Sequence, residues 1–348
     1  MEEVAQSIYD VIQDYRNQDG IYISTSNIIS WGEQFGNDAE FVLNELSHLL
    51  PQVYISRRTA KNYIKVHVDH YVRKYSYSSI AAFLSDTEFV NMQAAHKSQS
   101  AILSLLEEVL GEQYGESRIK YLTFPKRHFI YFDDLLASGS TIGNHAVQWL
   151  QAVDAKGRSN HDKIMDGEIT FSISLFCCHT WGLSFQQYRI SRMFSSKLSN
   201  RINWRWDYEV QNHAKFNNQR LNVAKPMRSI DPIVNTYFGT LTATKYEDYA
   251  FRELNTPAQE TFFSSPDNRI KFENILLLKG IEIINRIKGD VRPNIRPLGL
   301  INPGYKVLGL GTHFFTWRNI PNNSPLVYWW EVPGHNWQPL FSVANRGN

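Results

Sequence analysis

Cysteine is nearly missing from this chain: Cys177 and Cys178 are the only two in 348 residues. A framework of disulfides is therefore excluded by count. Neighbours on a strand point to opposite faces, so the pair is also badly placed to clamp one metal ion. Charge of one sign is missing too. The net value is +2 with histidine neutral, so no global basic field draws the protein to nucleic acid. No apolar run approaches the about 20 residues of a bilayer-spanning helix, so no membrane association is expected. The opening Met1-Glu2-Glu3-Val4-Ala5 has neither a cationic start nor an apolar stretch, so no leader peptide is expected. A soluble protein in a reducing, cytoplasmic setting follows as the expectation. The Gly-x-x-x-x-Gly-Lys-Ser/Thr loop of P-loop ATPases occurs nowhere, which excludes that chemistry.

The composition that remains is that of an ordinary globular protein, 43% hydrophobic and 20% charged. The length allows two domains. Aromatics are plentiful, with 9 Trp and 18 Tyr, and suit cores and interfaces.

Residues 2–16 carry Val4, Ile8 and Ile12 at helical spacing. Asp19-Gly20 makes a turn. Ser26 or Asn27 is placed to cap a helix bearing Ile28, Trp31 and Phe35. Val42, Leu43, Leu46 and Leu49 give a further helix, expected to end at Pro51, and residues 53–56 read as extended before a helix from about Thr59. Helices followed by short extended pieces resemble a winged helix. A small winged-helix-like domain over residues 1–75 is expected, with Arg57, Arg58 and Lys61 either near DNA or simply solvated.

Residues 76–99 are weakly patterned. A helix is expected over 100–111, a buried strand over 128–133, a helix over 141–153, a second buried strand over 169–178 and a helix over 181–199. That alternation predicts an α/β domain with a parallel sheet over 76–348. Residues 200–235 look loop-rich and 267–287 helical. Residues 305–310 and 313–317 look strand-like.

Phe129-Ile130-Tyr131-Phe132 is an apolar strand ending in two carboxylates, Asp133 and Asp134. The small residues Ala137, Ser138, Gly139, Ser140 and Thr141 then lead into a helix. Ligands of open α/β sheets bind beyond the carboxyl ends of strands. A helix N-terminus suits phosphate, glycine permits close approach, and hydroxyls add donors. Two acids before a phosphate cradle fit a ribose phosphate. The acids would take the ribose hydroxyls directly or through Mg²⁺.

The string resembles the phosphoribosyl-pyrophosphate signature of type I phosphoribosyltransferases. The resemblance implies that Asp133 and Asp134 hold the ribose hydroxyls and that residues 137–141 hold the 5-phosphate. Tyr131-Phe132-Asp133-Asp134 also looks like the Tyr-x-Asp-Asp of reverse transcriptases. There a strand should follow the acids, whereas here a small-residue loop and a helix pattern follow. Such transferases carry a pyrophosphate loop upstream at a helix start. Lys97, Ser98 and Gln99 are the candidates for it, with Lys97 neutralising leaving-group charge.

The N-terminal segment, Lys97-Ser98-Gln99-Ser100, Phe263-Ser264-Ser265-Pro266-Asp267-Asn268-Arg269, and Trp317–Pro325 with Trp329-Trp330 look together like the phosphoribosyltransferase-like proteins of bacterial conflict systems. Some of those are encoded beside retron reverse transcriptases. This implies an antiphage effector that transfers phosphoribosyl to an unknown acceptor, a pentosyltransferase with Mg²⁺ as cofactor. Its partners would be phosphoribosyl pyrophosphate or a related nucleotide, and a reverse transcriptase with its DNA or RNA. The alternative is a non-catalytic nucleotide sensor or interaction module acting through a partner protein or nucleic acid. Arg318, Asn319, Asn322 and Asn323 form a turn suited to a base, a phosphate or a partner, though Pro and Asn also simply make turns. Trp329 and Trp330 suit a core, and His179 suits a structural role at a strand end. Arg189, Arg192, Lys197, Arg201 and Arg205, interleaved with Tyr188, Phe194, Trp204 and Trp206, suit either a nucleic acid or a solvated helix face.

Overall fold

The computed structural model describes residues 1–93, 97–213 and 219–343. In chain order the elements are α1 (Glu2–Ile12), α2 (Thr25–Glu33), α3 (Ala39–Val53), β1 (Tyr54–Ile55), α4 (Arg57–Lys74), α5 (Ile80–Asp86), β2 (Thr87–Val90) and α6 (Ser98–Tyr114). There follow β3 (His128–Leu136), α7 (Ser140–Gln151), α8 (Asn160–Met165), β4 (Thr170–His179), α9 (Thr180–Met193), α10 (Ser196–Ser199) and β5 (Asn203–Val210). The last are α11 (Pro232–Thr240), α12 (Pro266–Asn285) and β6 (Phe315–Thr316).

Two compact units divide the chain. One is Arg58–Glu209 and the other combines Met1–Arg57 with Val210–Asn348. The division expected at residue 75 therefore moves to residue 57, and the C-terminal segment groups with the N-terminal helices rather than with the α/β core. The reason is a long-range pairing. Tyr54 and Ile55 of β1 run parallel to Phe315 and Thr316 of β6. A wing needs a local hairpin, and β1 pairs instead with a strand far along the sequence.

Unit Arg58–Glu209 is mixed α/β. Among the described residues its sheet has the order β2-β3-β4-β5, and β2 and β4 both run parallel to β3. As the alternation of strand and helix predicts, β3 and β4 are its buried strands. Tyr131, Ile173, Leu175, Ile142 and Leu150 share one core cluster, in which Trp149 stacks on Phe171 at 4.2 Å. The edge strands were not legible in the sequence. β2 has four residues, and β5 is only part-buried until Val210, so neither carries the apolar run of a central strand. The helix expected over 181–199 is two helices. Phe194 leaves helical geometry and Ser195 caps α10 through Leu198 N–H. Of the weakly patterned and loop-rich stretches, residues 94–96 and 214–218 lie outside the described residues.

In the other unit α2 is capped by Ser24, not by Ser26 or Asn27. The Ser24 hydroxyl accepts from Asn27 N–H, and the Asn27 side chain accepts from Ser24 N–H, closing a capping box. Pro51 lies inside the last turn of α3 instead of ending it. Trp329 and Trp330 are core, each 1% exposed, with their indole N–H groups donating to Ser324 O and His335 Nδ1. Residues 305–310 form no named strand. Gly309 and Gly311 take positive φ there and pass too close to the Leu298 and Ala224 backbones for a side chain. No helix among the described residues is long and apolar enough to cross a membrane.

Candidate functional site

β3 runs three residues beyond the strand expected over 128–133, because Leu135 and Leu136 stay in register with Cys177 and Cys178 of β4. Asp133 and Asp134 therefore lie within the strand rather than just past its end. Asp133 is 3% exposed, and a buried carboxylate must be hydrogen-bonded. Its Oδ1 accepts from the Ser98 hydroxyl at 2.7 Å and from Asp134 N–H at 3.0 Å. Its Oδ2 accepts from Gln93 Nε2 at 2.8 Å and from the Tyr131 hydroxyl at 3.1 Å. Asp134 is half-buried.

Tyr131 joins this carboxylate to α7. Its phenol oxygen lies 2.9 Å from His145 Nδ1 and accepts from Gln93 Nε2 at 3.1 Å. The phenol has one proton, and it goes to Asp133, so His145 Nδ1 must be a donor. Burial, and next the charge of Asp133, hold the Tyr131 phenol far above its ordinary range, so it stays protonated. Burial lowers the His145 pKa against the opposing pull of Asp133. The neutral ring with its proton on Nδ1 satisfies both facts.

Of the candidates Lys97, Ser98 and Gln99, Ser98 reaches Asp133. α6 begins at Ser98, so Ser98 and Gln99 occupy its first turn. Ser98 contacts Asp133 directly. Gln99 is fully buried and has a structural task. Its Oε1 accepts from the Met92 and Gln93 N–H groups, and its Nε2 donates to Val90 O at 3.0 Å. Lys97 is exposed in extended geometry at the N-cap of α6 and makes no side-chain cap bond.

The small-residue loop 137–141 runs from the end of β3 into α7. Gly139 has φ +75° and caps α7 with no side-chain bond to the first turn. Helix N-termini of this kind present N–H groups that the helix itself does not satisfy. Ser138, Ser140 and Thr141 are exposed, and Ala137 is buried. Beneath the loop lies Gln186 of α9, fully buried. A Cβ on Gly143 would stand 1.8 Å from Gln186 Oε1, and one on Gly182 would stand 2.0 Å from Ala137 O. The loop therefore rests directly on α9.

Sequence reasoning missed Gln93, Tyr131, His145 and Gln186. Tyr131 had a signal, since two residues before Asp133 on a strand is the same face. Gln186 had none, because its partners come from tertiary packing.

The remaining candidates are dispersed. Lys61 is not a free cation. It pairs with Glu112 at 2.6 Å and Glu108 at 3.1 Å on α6. Arg201 donates to Ile164 O and Met165 O, and Trp204 and Trp206 pack on the core, so these do not join the exposed Arg192 and Lys197 in one surface. His179 is fully buried, which lowers its pKa to about 3. Cys177 and Cys178 are buried free thiols held well above the ordinary range by burial. Asn322 and Asn323 belong to the other unit and shape a turn there: Asn322 O accepts from Leu300 N–H, and Asn323 Nδ2 donates to Leu300 O at 2.7 Å. Arg318 is half-buried in that unit. No cluster of three or more acidic, His or Cys ligands occurs among the described residues.

A family model described as PRTase-CE matches residues 28–343. No curated protein and no solved structure gives a significant match.

Proposed function

The chain belongs to the PRTase-CE family, making it a phosphoribosyltransferase-like protein, and from that premise we propose that it binds phosphoribosyl pyrophosphate and transfers its phosphoribosyl group. The single observation that carries this reading is the bond from Ser98 to Asp133. It places the start of α6, with Lys97, against the acidic strand whose following loop opens α7.

In this reading the first turn of α7 and the hydroxyls of Ser138, Ser140 and Thr141 take the 5-phosphate. Ala137 and Gly139 shape the cradle. The acids divide the remaining work. Both oxygens of Asp133 already accept from protein donors, so it fixes the geometry of the strand and of Ser98. Asp134 faces the ribose hydroxyls. The bond between ribose C1 and the pyrophosphate oxygen breaks, a bond from C1 to the acceptor nucleophile forms, and pyrophosphate leaves with its charge stabilised by Lys97 and the α6 N-terminus. The donors fit Mg²⁺ held mainly through substrate oxygens and water. Magnesium commonly takes only one or two carboxylates, and Asp134 is the one with exposure. When bound, the ion supplies charge neutralisation at the pyrophosphate.

The acceptor class is open to a base, a small metabolite, a nucleic acid or a protein. A cytoplasmic effector role in bacterial antiphage defence, beside a reverse transcriptase and its DNA or RNA, rests on the sequence resemblance given above. One observation favours a second reading, a non-catalytic nucleotide sensor. The full occupation of Asp133 leaves that carboxylate no lone pair directed to a ligand without rearrangement.

Calorimetry with phosphoribosyl pyrophosphate and Mg²⁺, wild type beside Asp134→Asn, tests binding. Pyrophosphate release tests turnover. Binding lost in the variant together with pyrophosphate release supports the transferase. Binding without release supports the sensor, and no binding by folded wild type refutes both.

A further inference from the structure

Within the unit of Met1–Arg57 and Val210–Asn348, helices α11 and α12 and the segment 291–303 line an open pocket of about 730 Å³. That is the size of a small-molecule site. Its walls mix aliphatic side chains, Ile281, Ile284 and Ile295 among them, with polar ones that include Arg292, Arg296 and Tyr237. No Asp or Glu lines it.

Arg296 is the unusual member. It is 4% exposed. Its Nη1 donates to Pro293 O at 2.5 Å and Ile295 O at 3.0 Å, and its Nη2 to Tyr305 O at 3.5 Å. Its Nε has no partner among the described residues. The other deeply buried arginines of this unit are treated differently: Arg252 and Arg269 share Glu273, and Arg269 also meets Glu260. A buried charge is expensive unless paired, and burial accordingly lowers the pKa of Arg296. Tyr237 interacts electrostatically with Arg296, and burial holds its phenol above the ordinary range, so it remains a donor.

We propose that this pocket binds a small apolar or aromatic molecule bearing one carboxylate, with the carboxylate beside the Arg296 guanidinium and the Tyr237 side chain, which both line it. The anion supplies the counter-charge that no ion pair gives Arg296 among the described residues, and the aliphatic side chains take the body of the ligand. None of its lining residues belongs to the proposed transferase reaction.

The test is calorimetry of the full chain with decanoate and with 1-naphthoate, against decanol and decylamine. Arg296 also braces loop carbonyls, so its variants risk misfolding. Thr236 is exposed and lines the pocket, so Thr236→Glu and Thr236→Gln are the informative pair. At least one carboxylate is expected to bind, about tenfold more tightly than the alcohol or amine, which corresponds to one favourable charge contact. Thr236→Glu should weaken it about tenfold by like-charge repulsion, and Thr236→Gln should leave it unchanged. Failure of both carboxylates to bind folded wild type, equal binding of decanol, or indifference to Thr236→Glu would overturn the proposal.

Discussion

The hydroxyl of Ser98, in the first turn of α6, donates to Oδ1 of Asp133 on β3 at 2.7 Å. One bond thus joins the loop after one strand to the acid of the next. Ser98→Ala leaves that oxygen with the Asp134 N–H as its remaining donor. Losing a hydrogen bond to a buried charge costs about 1–3 kcal/mol. The variant is expected to stay folded by circular dichroism, to melt lower, and to bind phosphoribosyl pyrophosphate with Mg²⁺ more weakly than wild type in calorimetry.

The packing of α9 under the 137–141 loop predicts an order among glycine variants. In Gly182→Ala the new methyl meets a backbone oxygen, Ala137 O, which cannot swing aside. In Gly143→Ala it meets the end of a side chain, Gln186 Oε1, which can. Overpacking of this kind costs about 1–3 kcal/mol. Gly182→Ala should lie at the upper end and Gly143→Ala at the lower. Gln186→Ala added to Gly143→Ala should recover stability, and denaturant melts of the four proteins would read this out.

A buried ionic cluster holds the other unit. Glu273 accepts from both Arg252 and Arg269 at 3.0 Å, and also from Lys225 N–H. Burial raises the pKa of Glu273 against the pull of the two guanidinium groups. Glu273→Ala removes the acidic partner of Arg252 and leaves Arg269 with Glu260 alone, and should cost about 3–5 kcal/mol. Lys61→Ala, which breaks ion pairs to the exposed Glu108 and Glu112, should cost under about 1 kcal/mol. Urea denaturation of both variants distinguishes the two cases.

Acid sensitivity should come partly from buried histidines. His128 stacks on Tyr75 at 3.7 Å, and burial lowers its pKa from 6.5 to about 4. His313 is lowered to about 4 for the same reason. As pH falls below 6.5, the unfolded chain takes up protons at these rings while the folded chain does not. Stability is therefore full above 6.5, falls between about 6.5 and about 4, and loses nothing further from these rings below that. His128→Gln should flatten the drop in melting temperature across that window. An unchanged slope would mean that His128 does not titrate this way.

By itself the sequence determined what depends on local chemistry. The run Phe129–Phe132 is apolar enough to be a central strand, Gly139 is the residue that tolerates a left-handed cap, and the alternation of strands and helices makes a parallel sheet. The acids and the phosphate-loop candidates followed because they are contiguous along the chain. Tertiary structure decided what depends on pairing across distance. β1 finds β6, so the N-terminal helices join the C-terminal segment instead of standing alone. Edge strands β2 and β5 carry too little apolar pattern to be read without their neighbours. Asp133 became a buried, fully bonded carboxylate only because Gln93 and Ser98 are folded onto it, and Gln186 matters only because α9 lies under α7. Arg296 gained its unpaired nitrogen from the carbonyls and helices that close around it. Local sequence sets backbone preference and charge, but burial and hydrogen-bond partners are properties of the assembled packing.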